Sequence, residues 1–405
     1  MYGDVHRRRD RSFAPGAVAA GDRPGPGCRR GRHHDAGSRG GDRRLRELTR
    51  ADVEAAVVGG ALLGGGGGGW PADGRRLGAL AVSMGRPTLA SIEELPADAL
   101  VFTVSLVGAP AATERYLEPI DHLRAVELAI DAAGCRPAAF IANENGATAT
   151  VNGWLQSACL GLPVLDAPCN GRAHPTGTMG AMGLHRRAGY VSIQAAVGGD
   201  HRRDRHVELA VRGPLPLADA LVRQAAVHAG GLVAVARNPV EVGYLKEHAA
   251  PGGISQAIAV GKLLIESPPG ERAEAVASRL GGTVVARGRV GSYRLETRGG
   301  FDVGRMEVAS DQGTFRLTIW NEYMTMDGPG GRLATFPDLI ATLDREGWPL
   351  ISAAIEEGTD LDLLIAPAGR LVLGAGMRDP ELFRLVEEAV GEPMLAHAFP
   401  GFGGG

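Results

Sequence analysis

The sequence predicts an α/β protein in two parts. An N-terminal three-layer α/β domain on a mainly parallel sheet is followed by a smaller β-rich, barrel-like domain. Two observations carry this prediction. From Ala99 to Asp166, apolar runs of strand length alternate with amphipathic helical stretches, the order of strand–helix–strand units with right-handed crossovers. Beyond Gly281 the text turns to short alternating segments punctuated by glycine (TVVARGRV, SYRLETRGG, RMEVAS, TFRLTIW), as antiparallel strands require. The 405 residues accommodate both parts, and the 44% apolar and 22% charged fractions are those of an ordinary globular chain.

Residues 1–45 come first and lack any apolar periodicity. Residues 1–50 carry 13 arginines against six acids. Such a segment buries too little surface to offset the entropy of ordering, so 1–45 reads as a disordered basic arm or as an over-extended start. The net charge of −3 gives no nucleic-acid signal for the whole chain. No apolar run reaches membrane-spanning length, and the N-terminus has no apolar core of a secretion signal. The four cysteines, Cys28, Cys135, Cys159 and Cys169, are scattered. That favours a reducing, cytoplasmic compartment over a disulfide framework or a Cys-x-x-Cys zinc site.

The α/β domain is expected over 46–270. Thr49 to Glu54 reads as a capping box opening a helix. That helix runs through AAVVGGALL into six consecutive glycines, Gly64 to Gly69, and Trp70. The glycine run is either a flexible linker or a turn whose backbone approaches a ligand closely, with Gly66 and Gly67 at its centre. No Gly-Lys-Ser/Thr follows, so it is not a nucleotide-binding P-loop. ALVFTVSLVG (99–108) reads as a strand covered on both faces. A helix follows at 122–133, then a short strand (137–142), a helix at about 148–160, and a strand at 162–166. YVSIQAAVGG and HVELAVRG read as strands, 216–229 as a helix and GLVAVAR as a strand. Asn238-Pro239 is expected to open a helix, and another follows Pro251-Gly-Gly. Ser267-Pro-Pro-Gly270 is the expected boundary. The β-rich domain spans 271–398, with one helix from Pro337 to Glu346 and a strand at 361–365. Residues 399–405 read as a frayed tail.

In parallel sheets ligands bind outside the carboxyl ends of the strands. Two such ends carry the polar text: Asn143-Glu144-Asn145-Gly146 and DAPCNGRAHPTG (166–177). In the second, Cys169 stands close to Arg172 and His174, and a thiol becomes a nucleophile when a cation or base lowers its pKa. It reads equally as a packed small thiol. Glu144 and Asp166 could divide acid and base work, or cap helices and bind Arg172. His174 and His185, with His201 and His206, are candidate ligands for a divalent metal, but none has the spacing of a helical metal site. Asn321-Glu322-Tyr323, after the strand TFRLTIW, is placed to reach an interdomain cleft or to stand as a plain strand end.

These residues bear a family resemblance. LLGGGGGGW, the Glu144-Asn145-Gly146 turn, GLPVLDAPCNGRAHP, AAPGGISQAIAVGK, Asn321-Glu322-Tyr323 and FPDLIATLDREGWPL resemble the S-methyl-thiohydantoin desulfurase family, often labelled hydantoinase-like. The resemblance spans about Leu48 to Met394. It implies the two-part architecture and chemistry on a five-membered, imide-like ring. Asp166, Gly171, Arg172, Pro175 and Glu144 match the family pattern. Two carboxylates of that pattern are replaced by Pro168 and Thr176, a thiol and an imidazole stand at Cys169 and His174, and Ala149 replaces an asparagine.

The resulting expectation is a hydrolase-type enzyme on a small cyclic amide or thioamide. Glu144 or His174 would be the general base, Cys169 or a metal-activated water the nucleophile, and Arg172 would hold an anionic substrate group. Gly66, Gly67, Asn145, Asp166, Asn170, Gly171, Asn321 and Glu322 complete the expected substrate contacts. No cofactor is certain, and a divalent metal on His174 or His185 is the option. The other reading, kept open by the two missing carboxylates, is a non-catalytic binding or accessory subunit of a hydantoinase-like partner chain. A homo-oligomer is the other partner expectation.

Overall fold

The computed structural model describes residues 45–400. The expected arm, apart from Leu45, and the tail beyond Pro400 lie outside the described residues.

A short β1 (Arg46–Glu47) leads into α1 (Arg50–Leu63). The Thr49 hydroxyl accepts from the Asp52 N–H at 3.3 Å, and the Asp52 carboxylate accepts from the Thr49 N–H at 3.0 Å. This is the capping box read from the sequence. After the glycine run come α2 (Pro71–Met84), β2 (Thr88–Ala90), β3 (Leu100–Gly108), α3 (Pro119–Ala133), β4 (Ala139–Ala142), α4 (Trp154–Leu160) and β5 (Val164–Leu165). Then follow β6 (Ser192–Gly198), β7 (Val207–Gly213), α5 (Leu215–His228), β8 (Leu232–Glu241), α6 (Val242–His248) and α7 (Gly253–Glu266). These strands form one sheet in the order β1-β2-β5-β4-β3-β8-β6-β7.

The parallel part is the βαβ text: β2, β5, β4 and β3 run parallel. β8, β6 and β7 join antiparallel, so the sheet is mixed. The connection from β6 to β7 is too short for a crossover, which leaves only the antiparallel arrangement. The helix expected to open at Asn238-Pro239 opens instead at Val242, as α6. β8 continues through both residues, with Arg237 opposite Thr103 and Val240 opposite Val101. Asn238 and Pro239 thus face one partner residue as a bulge, where proline costs no ladder hydrogen bond.

After α8 (Arg272–Arg279) the chain builds β9 (Thr283–Arg298), β10 (Phe301–Ser310), β11 (Gly313–Trp320), β12 (Glu322–Gly328), β13 (Gly331–Thr335), β14 (Leu339–Leu343), β15 (Pro349–Leu350) and β16 (Asp360–Ala366), then α9 (Pro380–Val390). This second sheet is antiparallel, ordered β13-β12-β11-β10-β9-β16-β14-β15, and curls as a half barrel. The helix expected over 337–346 is instead β14, wholly buried and paired with β15 and β16. Burial on both faces and two ladder partners outweigh the helical reading of LIATL.

The largest core cluster packs helices of the first part on the second sheet, joining Val58 and Leu62 of α1 and Leu264 of α7 to Phe336, Leu339, Leu364 and Phe383. α1 and α7 cross backbone to backbone. A Cβ on Gly59 would stand 1.8 Å from the Ala257 carbonyl oxygen, and one on Gly261 would stand 1.8 Å from that of Ala55. Only glycine permits that approach. The crossing fixes α1, and with it the start of the glycine run, against the second sheet.

Candidate active site

A cleft of about 90 Å3, partly open to solvent, lies where the carboxyl ends of β3 and β4 meet the start of β12. Its polar wall holds Asn143, Glu144, His174, Arg223, Arg237 and Glu322. The strand β4 delivers Asn143 and Glu144, the 166–177 loop His174, β8 Arg237, α5 Arg223 and β12 Glu322. Of the expected residues, Glu144, His174, Asn321 and Glu322 come together here.

Hydrogen bonds fix the state of His174. Arg237 has donors only, and its Nη2 donates to Asn143 Oδ1 at 2.9 Å. Asn143 Nδ2 therefore faces His174 Nε2, at 3.1 Å, as a donor. Nε2 is then the acceptor nitrogen, and Nδ1–H donates to the Thr176 carbonyl at 3.0 Å. Burial, with Arg237 adding to it, pushes the imidazole down to about 3, so the ring is neutral across the physiological range.

Glu144 lies on the same nitrogen. Its Oε2 is 3.3 Å from His174 Nε2 and accepts from the His174 backbone N–H at 3.2 Å. Burial raises this carboxyl to about 7, against the lowering pull of that N–H, Arg237 and Arg223. The side chain keeps 15% of its area exposed, so the acid reaches the cleft. Glu322 is 2% exposed and its Oε2 has no partner among the described residues. Burial first, and then Glu144, push its pKa well above the carboxylate range. Burial thus holds both carboxyls toward the protonated form, Glu144 adds to this at Glu322, and two arginines supply compensating charge. Arg223 stacks over Phe301, 4.2 Å from the ring centre, and donates to the carbonyls of Gly108, Gly300 and Pro175. Burial lowers it to about 10, so it remains a cation at neutral pH.

Asn321 orients Glu322. Its Oδ1 accepts from the Asp302 N–H at 2.9 Å and its own N–H donates to the Asp302 carbonyl at 2.7 Å. The glycine run packs against the same corner. Gly65 and Gly66 accept through their carbonyls from Tyr323 and Ser352, a Cβ on Gly67 would stand 2.1 Å from Glu322 Oε1, and Gly66 has φ +95° with Tyr323 against it. Gly68 and Gly69 line the cleft itself. The run is an ordered turn that lets β12 and Glu322 approach, not a linker.

The other expected residues sit elsewhere. Asp166 caps α7, accepting from Ile254 and Ser255 N–H at 2.9 and 3.1 Å. Asn145 donates to the carbonyls of Gly171 and Gly253, and Asn170 donates to that of Arg172. Gly171 meets the Val372 backbone, where a Cβ would stand 1.9 Å from the carbonyl oxygen. Arg172 is fully buried, stacked on Phe336 and donating to the Pro337 and Asp338 carbonyls; it ties the loop to the second sheet. Cys169 is 1% exposed beside Thr103 Oγ1 at 3.4 Å. Burial pushes its thiol up to about 11, opposite to the activation expected from its sequence neighbours. His185 binds Asp379 at 3.1 Å, and His201 stacks on His206. Both nitrogens of His174 are engaged, and among the described residues no group of three or more His, Cys, Asp or Glu is arranged to hold a metal.

Sequence reading missed Arg223 and Arg237, and it placed Asn143 at the site without a role of its own. Arg237 had one signal: a cation ending an apolar strand run, 2% exposed in the fold, as a charge retained inside a sheet seldom is without a task.

Comparison with known proteins agrees with this architecture. Residues 51–202 match the family model described as S-Me-THD-like, N-terminal domain, and residues 215–375 match S-Me-THD-like, C-terminal domain. A crystal structure of a protein from Chromobacterium violaceum is similar in fold, with a TM-score of 0.64 at 20% identity, covering 86% of this chain and 98% of that one. No curated protein matches the chain. No described helix is long and apolar enough to cross a membrane. The chain belongs to the S-Me-THD-like family, which carries a thiohydantoin-related function.

Proposed function

We propose that this S-Me-THD-like protein is a hydrolase of an S-alkylated thiohydantoin or a closely related cyclic amide, with Glu144 as the proton carrier. The observation that carries this reading is the position of Glu144, a buried carboxyl that still reaches the cleft. A carboxyl held at about 7 takes up and returns a proton with equal ease near neutral pH. It faces the cleft beside Glu322 and two arginines.

The step balances as follows. Glu144 takes one proton from water as the oxygen adds to the ring carbon bearing sulfur. The C=N electron pair moves onto the ring nitrogen, where Arg223 and Arg237 offset the developing charge. The C–S bond then breaks, its electron pair leaving on sulfur, and Glu144 returns its proton to make the thiol. The hydroxyl proton ends on the ring nitrogen, leaving a carbonyl. His174 accepts from Asn143 at Nε2 and holds Glu144 in place through its backbone N–H. No protein nucleophile is required, which accords with the buried, protonated Cys169.

The test is the purified full chain incubated with S-methyl-thiohydantoin, thiohydantoin and hydantoin, with released thiol and ring products followed separately. Thiol release that disappears in Glu144→Gln supports the reading. Tight binding without turnover by the wild-type chain overturns it in favour of a non-catalytic binding or accessory subunit.

A further inference from the structure

Beside the cleft lies a second chamber of about 490 Å3, also partly open to solvent. The two share walls at Trp70, Asp73, Leu106 and Arg115. Trp70 is fixed there: its indole N–H donates to the Pro110 carbonyl at 2.8 Å, and its own carbonyl accepts from Thr148 at 2.8 Å.

The chamber differs from the cleft in chemistry. Leu77, Leu80, Leu106, Leu117 and Pro119 line one part of it. Its formal charges, Arg76 and Arg115 against Asp73 and Glu118, sum to zero. Asp73 lies between Arg115 at 2.8 Å and Arg76 at 3.6 Å, and Glu118 accepts from the Tyr116 hydroxyl at 2.7 Å. The lining therefore carries no excess charge to draw in a carboxylate or an amine. One polar side chain is built into the wall without a partner. His122 is 5% exposed, and its imidazole has no hydrogen-bond partner among the described residues. Burial, with Arg76 adding to it, holds the ring neutral, down to about 4.

We propose that this chamber is the subsite for an uncharged, mainly apolar substituent on the ring that reacts in the cleft. His122 offers that substituent one neutral hydrogen bond. Apolar walls next to a polar reacting centre are the usual division of a small-molecule site, and a paired rim disfavours a charged group, which would lose its hydration without gaining a partner. The inference rests on the cleft being the site of ring chemistry, but its test does not depend on turnover.

The experiment is calorimetric binding of hydantoin, 5-benzylhydantoin and 5-carboxymethylhydantoin to the full chain, repeated with Ala112→Trp and His122→Phe. Ala112 lines the chamber and not the cleft, so its substitution fills the chamber alone. The benzyl compound is expected to bind at least tenfold more tightly than hydantoin. Ala112→Trp should erase that difference while leaving hydantoin affinity and the melting temperature unchanged. His122→Phe should keep the benzyl preference but lose selectivity for a 4-hydroxybenzyl analogue. Equal affinity for hydantoin and its benzyl derivative, or tighter binding of the carboxymethyl compound, overturns the proposal, as does no binding of any of them. A benzyl preference without turnover of the S-methyl forms keeps the subsite and rejects the hydrolase reading instead.

Discussion

The backbone N–H and the imidazole Nε2 of His174 both face one oxygen of Glu144, at 3.2 and 3.3 Å. The acid is therefore anchored at one oxygen and still reaches the cleft. Its neighbouring imidazole is neutral, so the pair carries its exchangeable proton on the carboxyl.

The first prediction follows from the carboxyl at about 7. A base must be ionised to take a proton from water, so turnover should rise with pH and level off above about 7. Glu144→Gln should lower kcat by roughly 10²–10⁴-fold, the usual worth of a positioned acid–base group. Rate against pH for both proteins checks this, and a profile without an inflection between 6 and 8 would remove Glu144 from the proton path.

Stability should show the same two groups with opposite signs. Glu144 binds its proton more tightly folded than unfolded, so between about 4.5 and 7 it makes stability fall as pH rises. His174 binds its proton less tightly folded, so between about 3 and 6.5 it makes stability rise with pH. In Glu144→Gln the falling contribution is gone, and stability near pH 8 should increase by up to a few kcal/mol, on the order set by the shift. Chemical denaturation of both proteins from pH 4 to 8 measures it. A variant less stable than wild type at pH 8 is the outcome that counts against the buried, raised acid.

Cys169 should behave as a core thiol. At pH 8 in the native state, iodoacetamide should modify exposed Cys159 and leave Cys169 unlabelled, since only the thiolate reacts and its pKa is about 11. Cys169→Ala should keep turnover within a few-fold. Rapid labelling protected by ligand would restore the nucleophile reading.

Asp166→Ala should act on stability alone. It removes the carboxylate that caps α7 at Ile254 and Ser255, a loss of about 1–2 kcal/mol. Denaturation midpoint and kcat, measured on one preparation, separate the roles. Lost turnover at unchanged stability would make Asp166 a site residue.

Gly67→Ala should impair the site through Glu322. The added Cβ would lie 2.1 Å from Glu322 Oε1, so the buried acid must move. We expect turnover to drop at least tenfold with the fold retained by circular dichroism. Wild-type kcat in this variant would show that Glu322 has no part in the reaction.

Local order was legible in the sequence by itself. The Thr49–Asp52 capping box, the parallel strands between 99 and 166, α7 after Pro251-Gly-Gly and the antiparallel text beyond Gly281 all follow from patterns a few residues long. The candidate cleft lies at strand ends that the sequence singled out, and Glu144, His174 and Glu322 line it. Tertiary structure decided the rest, because those properties arise between segments. β14 is a strand because β15 and β16 pair with it, and β8 runs through Pro239 because it bulges there against β3. Arg172, Asp166 and Cys169 share a loop with His174, yet the fold turns them to a sheet junction, a helix cap and the core. Arg223 and Arg237 are distant in sequence from Glu144 and share its cleft. A side chain's pKa is set by what surrounds it in space, through burial and charge, and a neighbour in sequence is often not a neighbour there.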